Sequence, residues 1–215
     1  MVLGITGGMG CGKSTAAKMF ERLAFRRLDL DAVVRERVLT QGAVVGALGA
    51  HFGSGVLDAS GAVNRAAVAE RVFDDDAELR WLEELIHPKV FAIWSAYAAE
   101  AREQGENAVI EVPLLFERSL ENKFDFTVCV ACTPEKQLER LEQRGLKRAF
   151  AEKRIFKQLP LARKIELSDF VLWNEGSQEF LESQVNRLAA SLPGHPGNPP
   201  SSPSKPLHGQ FPKER

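Results

Sequence analysis

The chain has 215 residues, of which 44% are hydrophobic and 27% charged, with a formal net charge of −1. That length carries one domain with a substantial core, or one core with insertions. A near-neutral balance excludes whole-molecule attraction to nucleic acid or to an anionic membrane, so any anion must be held by a local cluster of positive groups.

In chain order, residues 2–6 (Val-Leu-Gly-Ile-Thr) read as a buried strand and residues 14–20 as a helix opening. Between them, Gly7-Gly8-Met9-Gly10-Cys11-Gly12-Lys13-Ser14 fits the phosphate-loop pattern G-x-x-x-x-G-K-[ST]. Glycines let successive N–H groups point into one concavity, and a helix start adds unpaired donors and a positive dipole end. Lys13 then sets a point charge on the outer phosphates, and the Ser14 hydroxyl can ligate Mg²⁺. The bland alternative is a glycine-rich turn that binds nothing. Eight matching residues set between a strand and a helix speak against it, so the chain is expected to bind a nucleoside triphosphate. The first apolar run ends at this loop within a few residues, unlike the core of a signal peptide, and no run reaches the roughly 20 residues of a membrane helix. A cytoplasmic location is expected.

A short strand at residues 27–31 ends in two acids, Asp29 and Asp31. As alternate residues of one strand end they would approach the edge where the phosphate loop lies. There a carboxylate can accept a hydroxyl proton or hold the hydroxyl in line with a γ-phosphate. A solvated pair, or a cap for the next helix, is an equal reading of the same residues. Helical periodicity follows at 32–39, 44–52, 65–73 and 77–86, with turn-rich residues at 53–61. Arg65 opens a helix, where a cation opposes the dipole unless an anion is bound nearby. His87-Pro88 is expected to interrupt the helical pattern, with a new helix at 89–102. His87 itself reads as a local hydrogen-bonding corner.

Residues 108–112 form the next strand, with Glu111 placed to reach a metal's water shell or to be a surface acid. Residues 126–131 form another, and Thr133-Pro134-Glu135 starts a helix. Cys129 and Cys132 stand in a C-x-x-C spacing, but inside an apolar strand with no second Cys or His pair nearby, so buried core thiols are the better reading. The three cysteines are too few for a disulfide framework. In the charged helical stretch 135–157, Arg140, Arg144 and Arg148 recur every four residues and would share one face. Such a stripe could close over a triphosphate, or be a solvated face paired with Glu139 and Glu142. A last strand at 170–173 and a last helix at 178–190 follow. From Pro193 the composition turns to Pro, Ser and Gly, which cannot bury enough apolar surface to offset ordering entropy, so residues 192–215 read as a disordered tail.

Strands alternating with helices argue for an α/β fold, a parallel sheet with helices on both faces. Two strings imitate a guanine-nucleotide switch: Asp58-Ala59-Ser60-Gly61 fits D-x-x-G and Asn122-Lys123-Phe124-Asp125 fits N-K-x-D. In a switch each string follows a strand. Here Asp58 follows a glycine-rich segment and Asn122 precedes its strand, so context speaks against both, and a GTP-binding switch stands only as the lesser rival.

Several separated matches resemble the dephospho-coenzyme A kinase family over about residues 2–188. They are the loop of residues 4–15, Asp29 and Asp31 with Arg35, Leu57-Asp58 leading to Arg65, and Ile86-His87-Pro88. The string Val112-Pro113-Leu114-Leu115-Phe116-Glu117 is the most telling, since general phosphate-loop kinases lack it. Gln137 with Arg140 and Arg144, Arg154 with Gln158, and Asn174 with Gly176 complete the set. The resemblance implies a three-layer kinase fold with a five-stranded parallel core, a helical substrate-binding insertion at about 32–104 and a lid at about 135–165, all within residues 1–191. It implies transfer of the γ-phosphate of ATP, with Mg²⁺, to the ribose 3′-hydroxyl of dephospho-coenzyme A, the final step of coenzyme A synthesis. ATP and dephospho-coenzyme A would be the partners of a monomer or weak homo-oligomer, with no nucleic acid and no membrane. Another small-molecule kinase of the same class is the alternative.

By position, Asp31, Lys13 and Arg140 would be catalytic. Gly8, Gly10, Cys11, Gly12, Lys13, Ser14, Thr15, Arg140, Arg144 and Asn174 would bind ATP, Asn174 at the adenine. Asp29, Asp31, Arg35, Arg65, His87, Leu114 and Glu117 would surround the acceptor, and Ser14 would ligate the metal with Glu111 acting through water. The sequence departs from the family in a few places. Leu30 replaces a usual Ala and should turn into packing. Ala24 replaces a helix-ending Gly, Arg26 and Arg27 replace apolar residues, and Trp173 could repack the adenine side.

Overall fold

The structure, a computed structural model, describes residues 1–73 and 75–193. Most of the expected tail, 194–215, lies outside the described residues. Leu192, assigned to that tail, instead belongs to the core at 2% exposure, because the last helix delivers it beside its own apolar face.

The chain divides into two compact units, Met1–Asp29 together with Ala98–Arg215, and Leu30–Tyr97. The first unit holds five parallel strands: β1 Val2–Gly7, β2 Arg26–Asp29, β3 Ala108–Glu111, β4 Phe126–Ala131 and β5 Phe170–Trp173, in the order β2-β3-β1-β4-β5. The expected five-stranded parallel α/β sheet is present. β1 is central, paired with β3 from Val2↔Ala108 to Ile5↔Glu111 and with β4 from Leu3↔Phe126 to Gly7↔Val130. Burial of all six residues of β1 and of β4 explains why both read as continuous apolar runs instead of alternating ones.

Helices α1 (Lys13–Arg22) and α9 (Gln178–Ser191) meet over one face of the sheet. Their Met19, Phe20, Leu181 and Val185 pack with Leu3, Ile5, Val128 and Val130. From β1's other face, Gly4 approaches Leu115 and Phe124, and the Thr6 hydroxyl donates to the Pro113 carbonyl at 3.4 Å. Cys129 and Cys132 are buried in this framework.

The second unit is helical. It contains α2 (Leu30–Val33) continuing into a π-helical turn Val34–Val38, then α3 (Gly42–Phe52), α4 (Arg65–Phe73) and most of α5 (Asp76–Glu103), whose end lies in the first unit. Leu30 is buried, as its packing role requires. His51 of α3 stacks on Trp81 of α5 at 3.7 Å and pairs with Glu78 at 2.5 Å, tying the two helices together.

Three expected elements differ. The residues after Asp29 are helical, so Asp31 lies in the first turn of α2 and not on a strand beside Asp29. An acid in a first helical turn is favoured by the dipole. Helix α5 runs through His87-Pro88 without ending. Proline removes one N–H bond of its own helix, and burial of Ile86, Val90 and Trp94 on either side holds the helix across that defect. The charged stretch splits into α6 (Pro134–Gln143) and α7 (Arg148–Phe156), with Gly145 at φ 84 between them. Arg140, Arg144 and Arg148 therefore do not share one helical face. Arg148 pairs instead with Glu142 and Glu152. A further helix, α8 (Leu161–Leu167), was not expected from periodicity because it is so short.

Candidate active site

The phosphate loop joins β1 to α1, and glycine decides its path. At Gly7 a Cβ would lie 2.1 Å from the Val130 carbonyl oxygen. Gly12, at φ 95, caps α1, and a Cβ there would sit 2.2 Å from Asn174 Nδ2. A glycine cap has no side chain to bond the first amides of α1, and no acid occupies the first turn. Those donors and the positive dipole end suit an anion.

Every carbonyl from residue 7 to residue 11 accepts a hydrogen bond. Lys13 Nζ donates to Gly7 and Gly8 at 3.1 and 3.0 Å. Gln137 Nε2 donates to Met9 at 2.7 Å, and Arg140 donates to Gly10 at 3.4 Å. Asn174 Nδ2 donates to Cys11 at 2.9 Å, while the Met9 N–H is taken by Gln158 Oε1 at 3.1 Å. Arg140 also donates to the Asn174 carbonyl at 2.8 Å. The loop is thus framed from α6, from the residues after α7 and from the residues after β5. Gln137, Arg140, Gln158 and Asn174 act here as framework, which spacing along the chain does not reveal because they are far from the loop in sequence.

Cys11 lies under the loop with its Sγ 3.6 Å from that of Cys132, whose S–H donates to it. This bond, followed by burial, raises the Cys132 thiol, and the same bond lowers that of Cys11. Cys129 is pushed up to about 12 by burial.

At the C-terminal ends of β1, β2 and β3, the Ser14 hydroxyl donates to Glu111 Oε2 at 2.6 Å. Glu111 is 3% exposed, so it is not the surface acid of the alternative reading. Its Oε1 is held by Arg27, from Nε at 2.8 Å and Nη2 at 2.5 Å, and Arg27 also approaches Asp29 at 3.5 Å. The unexpected Arg27 thereby supplies the partner that a buried carboxylate needs. Asp29 and Glu111 face one another in the strand register.

The string after β3 is a turn carrying half-buried Leu114 and Glu117. Glu117 Oε1 lies 2.7 Å from Lys164 Nζ and accepts the Leu159 N–H at 3.0 Å. Lys164 went unnoticed in the sequence because a lysine in a short charged helix gives no sign of burial.

Within the helical unit, Arg35 and Arg65 line one cleft of about 370 Å³, together with Leu39, Thr40, Val45 and Ser60. Arg65 opens α4 beside Asn64, whose side chain accepts from Ala66 and Ala67. Asp31 and His87 are exposed in the same unit. Thr15 is exposed in the first turn of α1, and Arg144 is exposed at the end of α6. Trp173 is exposed, with its backbone N–H and carbonyl both bonded by Gln184.

The guanine-switch strings have other uses. Asp58 Oδ1 accepts from Ser60 N, Ser60 Oγ and Ala62 N in a tight turn closed by the Leu57↔Val63 bridge. Asn122 and Lys123 form a 3₁₀ turn ahead of β4, and Asp125 accepts the Val2 N–H at 2.6 Å. Both are structural.

No described helix is long and apolar enough to cross a membrane. The described residues contain no group of three His, Cys, Asp or Glu side chains placed to hold a metal ion. A dephospho-CoA kinase family model matches residues 1–179. The chain is 40% identical over 187 residues to the dephospho-CoA kinase of Thermosynechococcus vestitus, covering 86% of this chain and 91% of the relative. It is 37% identical over 187 residues to that of Gloeobacter violaceus, covering 86% and 90%. The crystal structure of TT1252 from Thermus thermophilus superposes with a TM-score of 0.75 at 31% identity, covering 90% of this chain and 98% of that one. Sheet order, phosphate loop and these matches agree: the chain is a kinase and belongs to the dephospho-CoA kinase family.

Proposed function

We propose that this kinase transfers the γ-phosphoryl group of ATP to the ribose 3′-hydroxyl of dephospho-coenzyme A, and that Lys13, Asp31 and Arg140 carry the transfer. One observation bears most of the weight: a phosphate loop whose carbonyls at residues 7–11 are all engaged, opening onto uncapped helix amides. Preorganised donors of this kind stabilise transferring phosphoryl groups without reorganising at the moment of reaction. Gly8, Gly10, Cys11, Gly12 and Thr15 shape the triphosphate cradle, and Lys13 places positive charge on it. Arg140 adds charge at the rim of the loop, with Arg144 as a further phosphate contact and Asn174 on the adenine side.

The acceptor chemistry is assigned to Asp31. The 3′-oxygen forms a bond to the γ-phosphorus as the bond from phosphorus to the bridging oxygen breaks, ADP leaves, and the hydroxyl proton passes to the Asp31 carboxylate. Arg35 and Arg65, walls of one cleft, suit an anionic acceptor. Asp29, His87, Leu114 and Glu117 complete its surroundings.

Mg²⁺ fits the residues present. Mg²⁺ is commonly held by one or two oxygen ligands plus substrate phosphates, not by an all-protein cage. Ser14 would ligate it, Glu111 would reach its water shell, and the cation would draw charge from the phosphate oxygens. We read residues 1–191 as one kinase domain with a substrate insertion at about 32–104 and a lid at about 135–165. A monomer or weak homo-oligomer in the cytoplasm, independent of nucleic acid and membrane, completes the reading.

Incubating the protein with ATP and dephospho-coenzyme A, beside a panel of nucleosides and nucleotides, tests it. Phosphorylation of dephospho-coenzyme A at its 3′-position above all others is expected. Preference for a nucleoside or nucleotide acceptor would overturn it.

A further inference from the structure

Arg26 and Arg27 are neighbours on β2, and consecutive side chains leave a strand on opposite faces. Arg26 braces the rim, pairing with Glu106 at 3.0 Å and Glu100 at 3.3 Å. Arg27 has only 18% of its side chain exposed. Both its Nε, at 2.8 Å, and its Nη2, at 2.5 Å, end on one oxygen, Glu111 Oε1, while Nη2 also approaches Asp29 Oδ2 at 3.5 Å. Arginine commonly meets a carboxylate fork to fork, one nitrogen to each oxygen. Here both nitrogens take the same oxygen, and the other, Oε2, is left to the Ser14 hydroxyl at 2.6 Å.

The three side chains link β2, β3 and the start of α1, all inside one compact unit. Glu111 is buried, so solvent does not hold its carboxylate in place, whereas Ser14 is exposed and open to a ligand. A carboxylate only accepts, so Ser14 commits its single proton to Oε2 and its oxygen keeps only lone pairs on the remaining side. That polarity suits a cation. It lasts only while Oε2 stays where it is, and the double grip on Oε1 blocks rotation of the carboxyl group. The need to pair a buried acid accounts for a cation at position 27, but not for two nitrogens on one oxygen with the other left to Ser14.

We infer that Arg27 is a positioning residue for the metal used in transfer: it fixes Glu111 so that the Ser14 hydroxyl is held with its proton on Oε2 and its lone pairs available to Mg²⁺. The inference deepens the proposed function and rests on its assignment of Ser14 to Mg²⁺. Removing a group that orients a metal ligand from behind commonly weakens metal affinity by about 10–100-fold.

Calorimetric titration with ATP, with and without Mg²⁺, gives the factor by which the cation strengthens nucleotide binding. The test compares that factor in the intact protein, R27M, R27K, S14A and the double variant S14A/R27M. In R27M it should fall about tenfold, with metal-free ATP affinity within about twofold of the original. R27M also leaves a buried carboxylate unpaired and should lower Tm by about 10 °C. R27K keeps the charge but offers a single nitrogen in place of the fork. Its Tm should stay within about 3 °C of the original while the factor still falls about threefold or more. S14A removes the hydroxyl through which Arg27 acts, so adding R27M to it should cause no further fall. An unchanged factor in R27K, or a fall from S14A to S14A/R27M as large as in the intact protein, would overturn the role of Arg27. S14A with the full factor retained would instead overturn the assignment of Ser14 to the cation, and this inference with it.

Discussion

The phosphate loop and the helical unit of Leu30–Tyr97 are built on opposite principles. Around the loop, each carbonyl from residue 7 to residue 11 is occupied, and each close approach demands a glycine. The helical unit is looser. Its α3 contains Gly42, Gly46 and Gly49, two of which would accept a Cβ with nothing within 4 Å, and its two cleft arginines are exposed. A triphosphate tail is the same for every kinase, so a rigid cradle of main-chain donors suits it. An acceptor is particular to each enzyme, and a unit with side chains along open walls suits the acceptor role proposed for it.

The comparison predicts that substitutions at the loop act on transfer far more strongly than on acceptor affinity. Lys13→Met should lower kcat by about 10³-fold or more with the fold intact by circular dichroism. A loss below tenfold would dissolve the contrast. Asp31→Asn sharpens it from the other unit: transfer should fall about 10²-fold or more while calorimetry finds ATP affinity within about threefold of the original. Equal loss of both would return Asp31 to a structural role.

Gly12→Ala tests the rigidity of the cradle. A methyl group would meet Asn174 at 2.2 Å on a backbone at φ 95, so stability should drop by about 2 kcal/mol and ATP binding should weaken. The same change at Gly42, where a Cβ meets nothing within 4 Å, should be neutral or better in urea unfolding.

Alkaline stability follows from Cys129, whose thiol burial pushes up to about 12. The unfolded thiol releases its proton near pH 8.5, while the folded one keeps it. Stability from this residue is therefore complete below about pH 8.5 and is lost as pH rises toward about 12, by at most about 1.4 kcal/mol per pH unit. Cys129→Val should flatten that part of the decline when urea midpoints at about pH 8 and about pH 10 are compared.

A small gain is expected at Ala24, which holds φ 64 just after α1. The family's glycine suits that left-handed backbone, and Ala24→Gly should add about 0.5–1 kcal/mol without altering catalysis. Thermal unfolding reads it directly.

How far the chain could be read depended on how local each cause was. β4, β5 and α4 have the extents that their own residues suggest, since short apolar runs and a periodic apolar face are visible without any distant partner. Pro88 misleads because its local penalty is outweighed by apolar contacts on both sides of it. Asp31 misleads because one alternate spacing suits both a strand end and a first helical turn. The arginine stripe fails at Gly145, whose positive φ starts a new helix.

By itself, the sequence determined the phosphate loop and the alternation of strands and helices, because each rests on contiguous residues whose torsions and burial follow from their own chemistry, and it determined the family through several short strings spread along the chain. Only the tertiary structure decided that Arg27 secures Glu111, that Gln137, Arg140 and Asn174 brace the loop, and that Lys164 is buried against Glu117. Those pairings join residues dozens of positions apart. A charge or an amide in a sequence carries no sign of which distant group it will meet when the sheet assembles.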